Sequence, residues 1–165
     1  MNIVSALMEV YYNEENWHAT KLDKVEAEKY FKKLIEKERI IFHTDKESLV
    51  GYVETWRINY EQLGRIICKA PFSAYTEDVE TGNIAWLANT WIHKDFRRGS
   101  VYKILKFGYY EQNQDCEYFA GDARRKRTGL IKVFKRDEIF LKEDKHGWGK
   151  NDSKQNRTNT SYCNA

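Results

Sequence analysis

Apolar positions at helical spacing open the chain. Ile3, Leu7, Val10 and Tyr11 fall on one face of a helix predicted over Ile3 to Tyr12. A second amphipathic run follows Asp23, which forms a capping-box pattern with Glu26 three residues on. Ala27, Tyr30, Phe31, Leu34 and Ile35 make its apolar stripe, with Lys and Glu opposite, so these aromatics read as core. The period then shortens to two. Ile40, Ile41 and Phe42 predict a strand, Asp45 to Ser48 a turn, and Leu49 to Ile58 a second strand that completes a hairpin. Along that second strand Val50, Tyr52, Glu54 and Trp56 face one side, and Gly51, Val53 and Thr55 the other.

Tyr60 to Cys68 fits a short helix, stopped by Pro71, the one proline of the chain. Ala70 to Gly82 predicts a long loop. Asn83 to Ile92 is a near-continuous apolar run, the pattern of a strand covered on both faces. A charged turn from His93 to Ser100 leads into a helix over Val101 to Gln112, and Cys116 to Ala123 reads as the next strand. Strand, turn, helix and strand make a βαβ unit over 83–123. Leu130, Ile131, Val133 and Phe134 predict a last helix over Gly129 to Glu138, followed by a short apolar piece, Ile139 to Leu141. The fold class is therefore α/β with mixed α+β character: a mixed central sheet flanked by helices. Residues 1–141 are expected to form a single domain, and the polar residues 142–165 a flexible tail.

The segment Trp86-Leu87-Ala88-Asn89-Thr90-Trp91-Ile92-His93-Lys94-Asp95-Phe96-Arg97-Arg98-Gly99-Ser100-Val101-Tyr102-Lys103-Ile104-Leu105 resembles the GNAT superfamily of N-acetyltransferases. The order of elements is that of a GNAT domain lacking its first strand. In that superfamily the fourth strand runs into a turn of type [RQ]-x-x-G-x-[GA] that cradles the pyrophosphate of acetyl-CoA. The physics is general: free N–H groups and the dipole at a helix N-terminus attract anions, and arginine adds charge-assisted hydrogen bonds. The resemblance implies a cofactor-binding stretch of Thr90, Trp91, Ile92, Arg97, Arg98, Gly99, Ser100, Val101 and Tyr102. With Arg97 as the leading arginine, Ser100 and Tyr102 stand where the pattern has glycines; with Gly99 as the first glycine, the loop is one residue short. Thr128 to Arg136 resembles the family's fourth-helix signature, with Phe134 at the place of the tyrosine that protonates the leaving thiolate. Phenylalanine has no proton to give. Either Tyr102 or Tyr118 serves instead, or the step uses no dedicated acid. Phage-encoded members of the superfamily depart from the pattern in a similar way, some of them modifying DNA bases, and a phage-type protein would work in the cytoplasm of a bacterial host.

Acyl transfer to an amine needs a base and a donor to the thioester oxygen. Glu54 matches the family's strand carboxylate and is the expected base. An acid between apolar neighbours sits on a solvent face or in a cleft, and solvent is the commoner place for Glu. Asn89 and Thr90 interrupt the apolar strand where the family splays two strands for the pantetheine arm; a hydrogen-bonded core Asn is the competing reading. The catalytic set implied is Glu54, Asn89 and Tyr118, with acetyl-CoA or another acyl-CoA as co-substrate.

Composition narrows the field a little further. With 41% hydrophobic and 15% aromatic residues, 165 residues can build a core without metal or disulfides. Cys68, Cys116 and Cys163 are odd in number and widely spaced, which suits reduced thiols. His18, His43 and His146 are too scattered for a metal site, and His93 reads as a surface turn histidine. No basic segment precedes an apolar one near Met1, and no long uncharged stretch follows, so the expected location is cytoplasmic with no membrane association. A net charge of +3 is weak. Its distribution is uneven: Arg124, Arg125, Lys126 and Arg127 adjoin Lys132, Lys135 and Arg136. Such a run serves as a solvated loop, as a site for the phosphates of CoA, or as a nucleic-acid contact. Two functions stay open: an acyl-CoA-dependent N-acyltransferase with an unidentified amine acceptor, or an inactive GNAT-fold module binding nucleic acid or protein through the basic face.

Overall fold

The computed structural model describes residues 1–13, 22–122 and 131–143. The elements run α1 (Ile3–Asn13), α2 (Lys24–Glu36), β1 (Ile40–Asp45), β2 (Ser48–Ile58), α3 (Tyr60–Ile67), β3 (Ile84–Ile92), a 3-10 turn (Lys94–Phe96), α4 (Val101–Gln112), β4 (Tyr118–Asp122), β5 (Ile131–Lys135) and α5 (Arg136–Glu143). The five strands form one sheet in the order β1-β2-β3-β4-β5. β1 and β2 pair antiparallel around the turn that follows Asp45. The His93 N–H donates to the Val50 carbonyl, and the Gly82 N–H to the Arg57 carbonyl, so β3 runs antiparallel to β2. Glu117 N–H donates to Asn83 O, which sets the start of β4 beside the start of β3. That parallel step needs a crossover, and α4 supplies it. The result is a mixed sheet with helices, and among the described residues no strand precedes α1 and α2.

The last segment differs from expectation. Residues 131–135, read as part of a helix over Gly129 to Glu138, form β5 and pair antiparallel with β4, Phe134 opposite Phe119 and Val133 opposite Ala120. Ile131 and Val133 are β-branched and favour the extended chain. Long-range pairing then overrides a short helical period. The helix begins only at Arg136, and the Ile139 to Leu141 piece lies inside it.

The chain divides into two compact units. The first holds Met1–Trp56 and Leu87–Gln114; the second holds Arg57–Trp86 and the described residues from Asp115 onward. In the first unit, Leu7, Tyr11, Phe31, Leu34, Ile40, Tyr52 and Trp91 form a continuous buried cluster under α1 and α2. The Asp23 carboxylate accepts from the N–H groups of Val25 and Glu26 and starts α2. On the other sheet face, α4 presses on Gly51, where an added Cβ would come within 2.9 Å of Val101 Cγ1 and 3.0 Å of Leu105 Cδ1. With both faces covered, β2 is buried along nearly its whole length.

In the second unit, the Arg57 guanidinium forms a two-pronged pair with Asp115, at 2.9 and 2.5 Å. Asn59 and Gln62 make a reciprocal capping box that starts α3. Gly82 sits against the chain itself: a Cβ there would lie 2.0 Å from the carbonyl carbon and oxygen of Ile58. Backbone cannot yield as a side chain tip can. Gly82→Ala is therefore expected to cost about 3 kcal/mol, the upper end of overpacking penalties. Denaturant unfolding measures it, and a loss below about 1 kcal/mol would show that the loop relaxes freely.

Candidate functional site

Glu54 lies mid-strand on β2 and is 2% exposed. It does not take the solvent face that is usual for Glu, because alternation turns it toward the α1–α2 layer with Tyr52 and Trp56. A buried carboxylate is costly unless hydrogen-bonded. Three neutral donors meet this one. Tyr30 OH, from α2, donates to Oε1 in a short hydrogen bond. Trp56 Nε1–H donates to the same oxygen at 2.8 Å and also lies 3.1 Å from the Tyr30 hydroxyl. Asn89 Nδ2, from β3, donates to Oε2 at 2.8 Å. Oε2 thus keeps lone-pair capacity that Oε1 has spent. Among the described residues, no cation pairs with Glu54. Burial, three hydrogen bonds and no counter-ion among the described residues make a polar network that fixes the carboxylate in one orientation.

Glu54 and Asn89, both in the catalytic set that the resemblance implies, are in direct contact. Tyr30, from the apolar stripe of α2, and Trp56, from the same face of β2, join them. Their signal was present but indirect: Trp56 shares the Glu54 face of β2 by alternation, whereas Tyr30 meets Glu54 only through the packing of α2.

Beyond Asn89, β3 continues through Thr90, Trp91 and Ile92. Trp91 is buried against Tyr52, ring centroids 6.2 Å apart. The His93 imidazole Nδ1 accepts from the Asp95 N–H at 3.4 Å and opens the 3-10 turn. Arg97 Nε donates to the Ile92 carbonyl at 3.1 Å, which fixes its stem while the residue stays exposed. Arg98, Gly99 and Ser100 are exposed too. α4 starts at Val101 with no side-chain cap from Ser100. The first helical bond of this segment runs from the Ile104 N–H to the Ser100 carbonyl. The N–H groups of Ser100, Val101, Tyr102 and Lys103 therefore have no acceptor among the described residues. An uncapped helix start beside two exposed arginines is a donor set suited to a phosphate or pyrophosphate. The Tyr102 ring is 50% exposed and leaves its own N–H in that set. Gly99 has φ outside the left-handed region, and an added Cβ would meet only Phe96 O, at 3.5 Å. Internal packing does not require glycine here.

Tyr118 belongs to the second unit, on β4, and packs edge-on against Tyr60 at 5.9 Å. Tyr60 OH donates to Glu117 Oε2 at 3.0 Å, and Asn83 Nδ2 donates to the same oxygen at 3.1 Å. Desolvation first, and then the Glu117 hydrogen bond and charge, push the Tyr60 pKa up to about 12. The folded chain thus holds this proton more tightly than the unfolded chain. The contribution is present below the ordinary tyrosine value near 10 and is lost as pH rises toward 12. Glu117→Gln should bring the Tyr60 titration down toward 10, read by phenolate absorbance.

The reading of Phe134 as the helix residue facing the thiolate is overturned, since Phe134 lies in β5 opposite Phe119. Arg124, Arg125, Lys126 and Arg127, Thr128 to Leu130, His18, His146 and Cys163 lie outside the described residues. Lys132, Lys135 and Arg136 are exposed. Among the described residues, no group of three His, Cys, Asp or Glu is placed to hold a metal ion, and no helix is long and apolar enough to cross a membrane.

No protein-family model matches the chain, and no curated protein matches it. Solved structures do. The GphF GNAT-like decarboxylase in complex with isobutyryl-CoA superposes with a TM-score of 0.51 at 12% identity, over 72% of this chain and 60% of that one. The ribosomal-protein-alanine N-acetyltransferase from Brucella melitensis gives 0.44 at 14% identity, over 74% and 68%. A predicted acetyltransferase with acetyl-CoA from Clostridium acetobutylicum gives 0.45 at 12% identity, over 94% and 86%. The chain thus spans 60% of the length of the decarboxylase. At such identities the likeness is one of fold.

Proposed function

Because the chain has the GNAT fold, we propose that it is an acyl-CoA-dependent N-acyltransferase acting on an amine acceptor. The observation that carries this reading is the buried Glu54 carboxylate, hydrogen-bonded to Asn89 across β2 and β3 with no cation beside it.

The residues divide the work as follows. Arg97, Arg98 and the open N–H groups of Ser100 to Tyr102 bind the pyrophosphate of the acyl-CoA. Thr90, Trp91 and Ile92 line the path of its pantetheine arm. Oε2 of Glu54 accepts a proton from the acceptor ammonium, directly or through one water. The freed amine attacks the thioester carbonyl; the C–N bond forms, the C–S bond breaks, and the electron pair leaves with sulfur. The thiolate takes its proton from water as coenzyme A leaves. Asn89 and Tyr30 hold Glu54 in one orientation, so its proton transfer needs little reorganisation. Protein lysines, nucleobase amines and small amines are the acceptor classes to screen.

Calorimetric titration of acetyl-CoA into the purified chain, followed by free-thiol release with an amine panel, tests the reading. Micromolar binding and amine-dependent thiol release are expected. Absence of binding to acetyl-CoA and to longer acyl-CoAs would sink it.

A further inference from the structure

We propose that β1 is a docking edge for a second copy of this chain, paired antiparallel about Phe42 so that two sheets join into one. β1 ends the sheet, and among the described residues no strand lies outside it. Sheet edges are normally blunted by Lys, Pro, inward charge or a bulge. The sequence Ile40-Ile41-Phe42-His43-Thr44-Asp45 has no Lys or Pro. The register steps from His43–Gly51 to Thr44–Leu49, so the extra residue is Val50 on β2, and the outer line of β1 stays regular.

Hydrogen-bond parity says which groups the edge offers. The Thr55 N–H donates to Arg39 O at 2.8 Å. Arg39–Thr55 is thus a hydrogen-bonded pair, as are Ile41–Val53 and His43–Gly51 by alternation. The N–H and C=O groups of Ile40 and Phe42 therefore point away from β2. In a symmetric antiparallel pair about Phe42, each Phe42 exchanges both bonds with its counterpart, and Ile40 does so with Thr44 of the other copy. The parity required and the parity observed agree.

Charge agrees as well. That register sets Arg39 of one copy across from Asp45 of the other, twice over by symmetry. Apolar exposure follows the same edge. Phe42 is 43% exposed. On the other sheet face, α4 overhangs β1: Gly108 packs on Ile41, where an added Cβ would lie 2.7 Å from Cγ2. Ile104, Glu111 and Phe107 turn progressively outward from Gly108 on that flank, at about 100° per residue. Ile104 is 44% and Phe107 38% exposed. A two-fold axis through Phe42 brings this flank against its counterpart.

Sedimentation equilibrium of the full chain tests the proposal, with Phe42→Pro and Asp45→Lys beside it. Proline at 42 removes an outward N–H that the fold does not use, so β1–β2 pairing should persist, as circular dichroism would show. The expected mass is twice the 19.7 kDa of the chain. Phe42→Pro should be monomeric. Asp45→Lys, which sets two like charges against Arg39, should raise the dimer dissociation constant on the order of tenfold, and it decides the matter if the proline variant misfolds. A monomeric wild type would overturn the proposal. So would a dimer that Asp45→Lys leaves unchanged.

Discussion

Glu54→Gln should lower amine-dependent acyl transfer by about 100- to 10,000-fold, the usual worth of a positioned general base, while the chain stays folded and acetyl-CoA binding changes by less than a few-fold. The glutamine is close to isosteric. Its carbonyl oxygen can keep the bonds from Tyr30 and Trp56 that Oε1 now accepts. Its amide would face the Asn89 amide, and a flip of Asn89 turns that donor conflict into a hydrogen bond. Packing and hydrogen bonding survive, and the basic lone pair does not. Glu54→Leu would orphan the Tyr30, Trp56 and Asn89 donors together, at about 1–3 kcal/mol for each buried group left unpaired. Loss of rate without loss of stability in the glutamine variant separates a base from a structural clasp. An unchanged rate would assign Glu54 to holding α2 on the sheet, and nothing more.

The hairpin, the apolar third strand and the boundaries of α4 could be read directly from local pattern. Each rests on interactions close in sequence: the turn after Asp45, the alternation through Tyr52 to Trp56, and the 3.6-residue stripe of Val101, Leu105 and Tyr109. β5 could not, because Ile131, Val133 and Phe134 fit a helix period as well as a strand. Only pairing with residues 118–122 decides between them. The same limit governs Glu54. Its identity as an acid in an apolar strand was plain, yet its burial depends on Tyr30, 24 residues away, and Asn89, 35 residues away. A long-range polar network leaves no period in the sequence. Alternation assigns the residues of β2 to two faces but does not say what covers each; both are covered, one by α4, because Gly51 admits that helix closely.

Charge reversal at the other end of the site should act on binding alone. Arg97→Glu with Arg98→Glu is expected to weaken acetyl-CoA by roughly 100- to 10,000-fold. Two charge-assisted hydrogen bonds are worth about 1.5–3 kcal/mol each, and every 1.4 kcal/mol is about tenfold. Both arginines are exposed, so the loss should shrink as salt screens the phosphates in wild type and variant alike. Calorimetry at two ionic strengths reads both effects. Gly99→Ala tells a built cradle from a diffuse basic surface. Neither φ nor packing demands glycine at that position, since the nearest atom to an added Cβ is Phe96 O at 3.5 Å. Folding stability should be unaffected, and any fall in acetyl-CoA affinity then reports a ligand lying against the backbone. Equal binding by the alanine variant, with loss in the double glutamate, would mean that the arginines attract the phosphates from outside the turn instead of seating them on the N-terminus of α4.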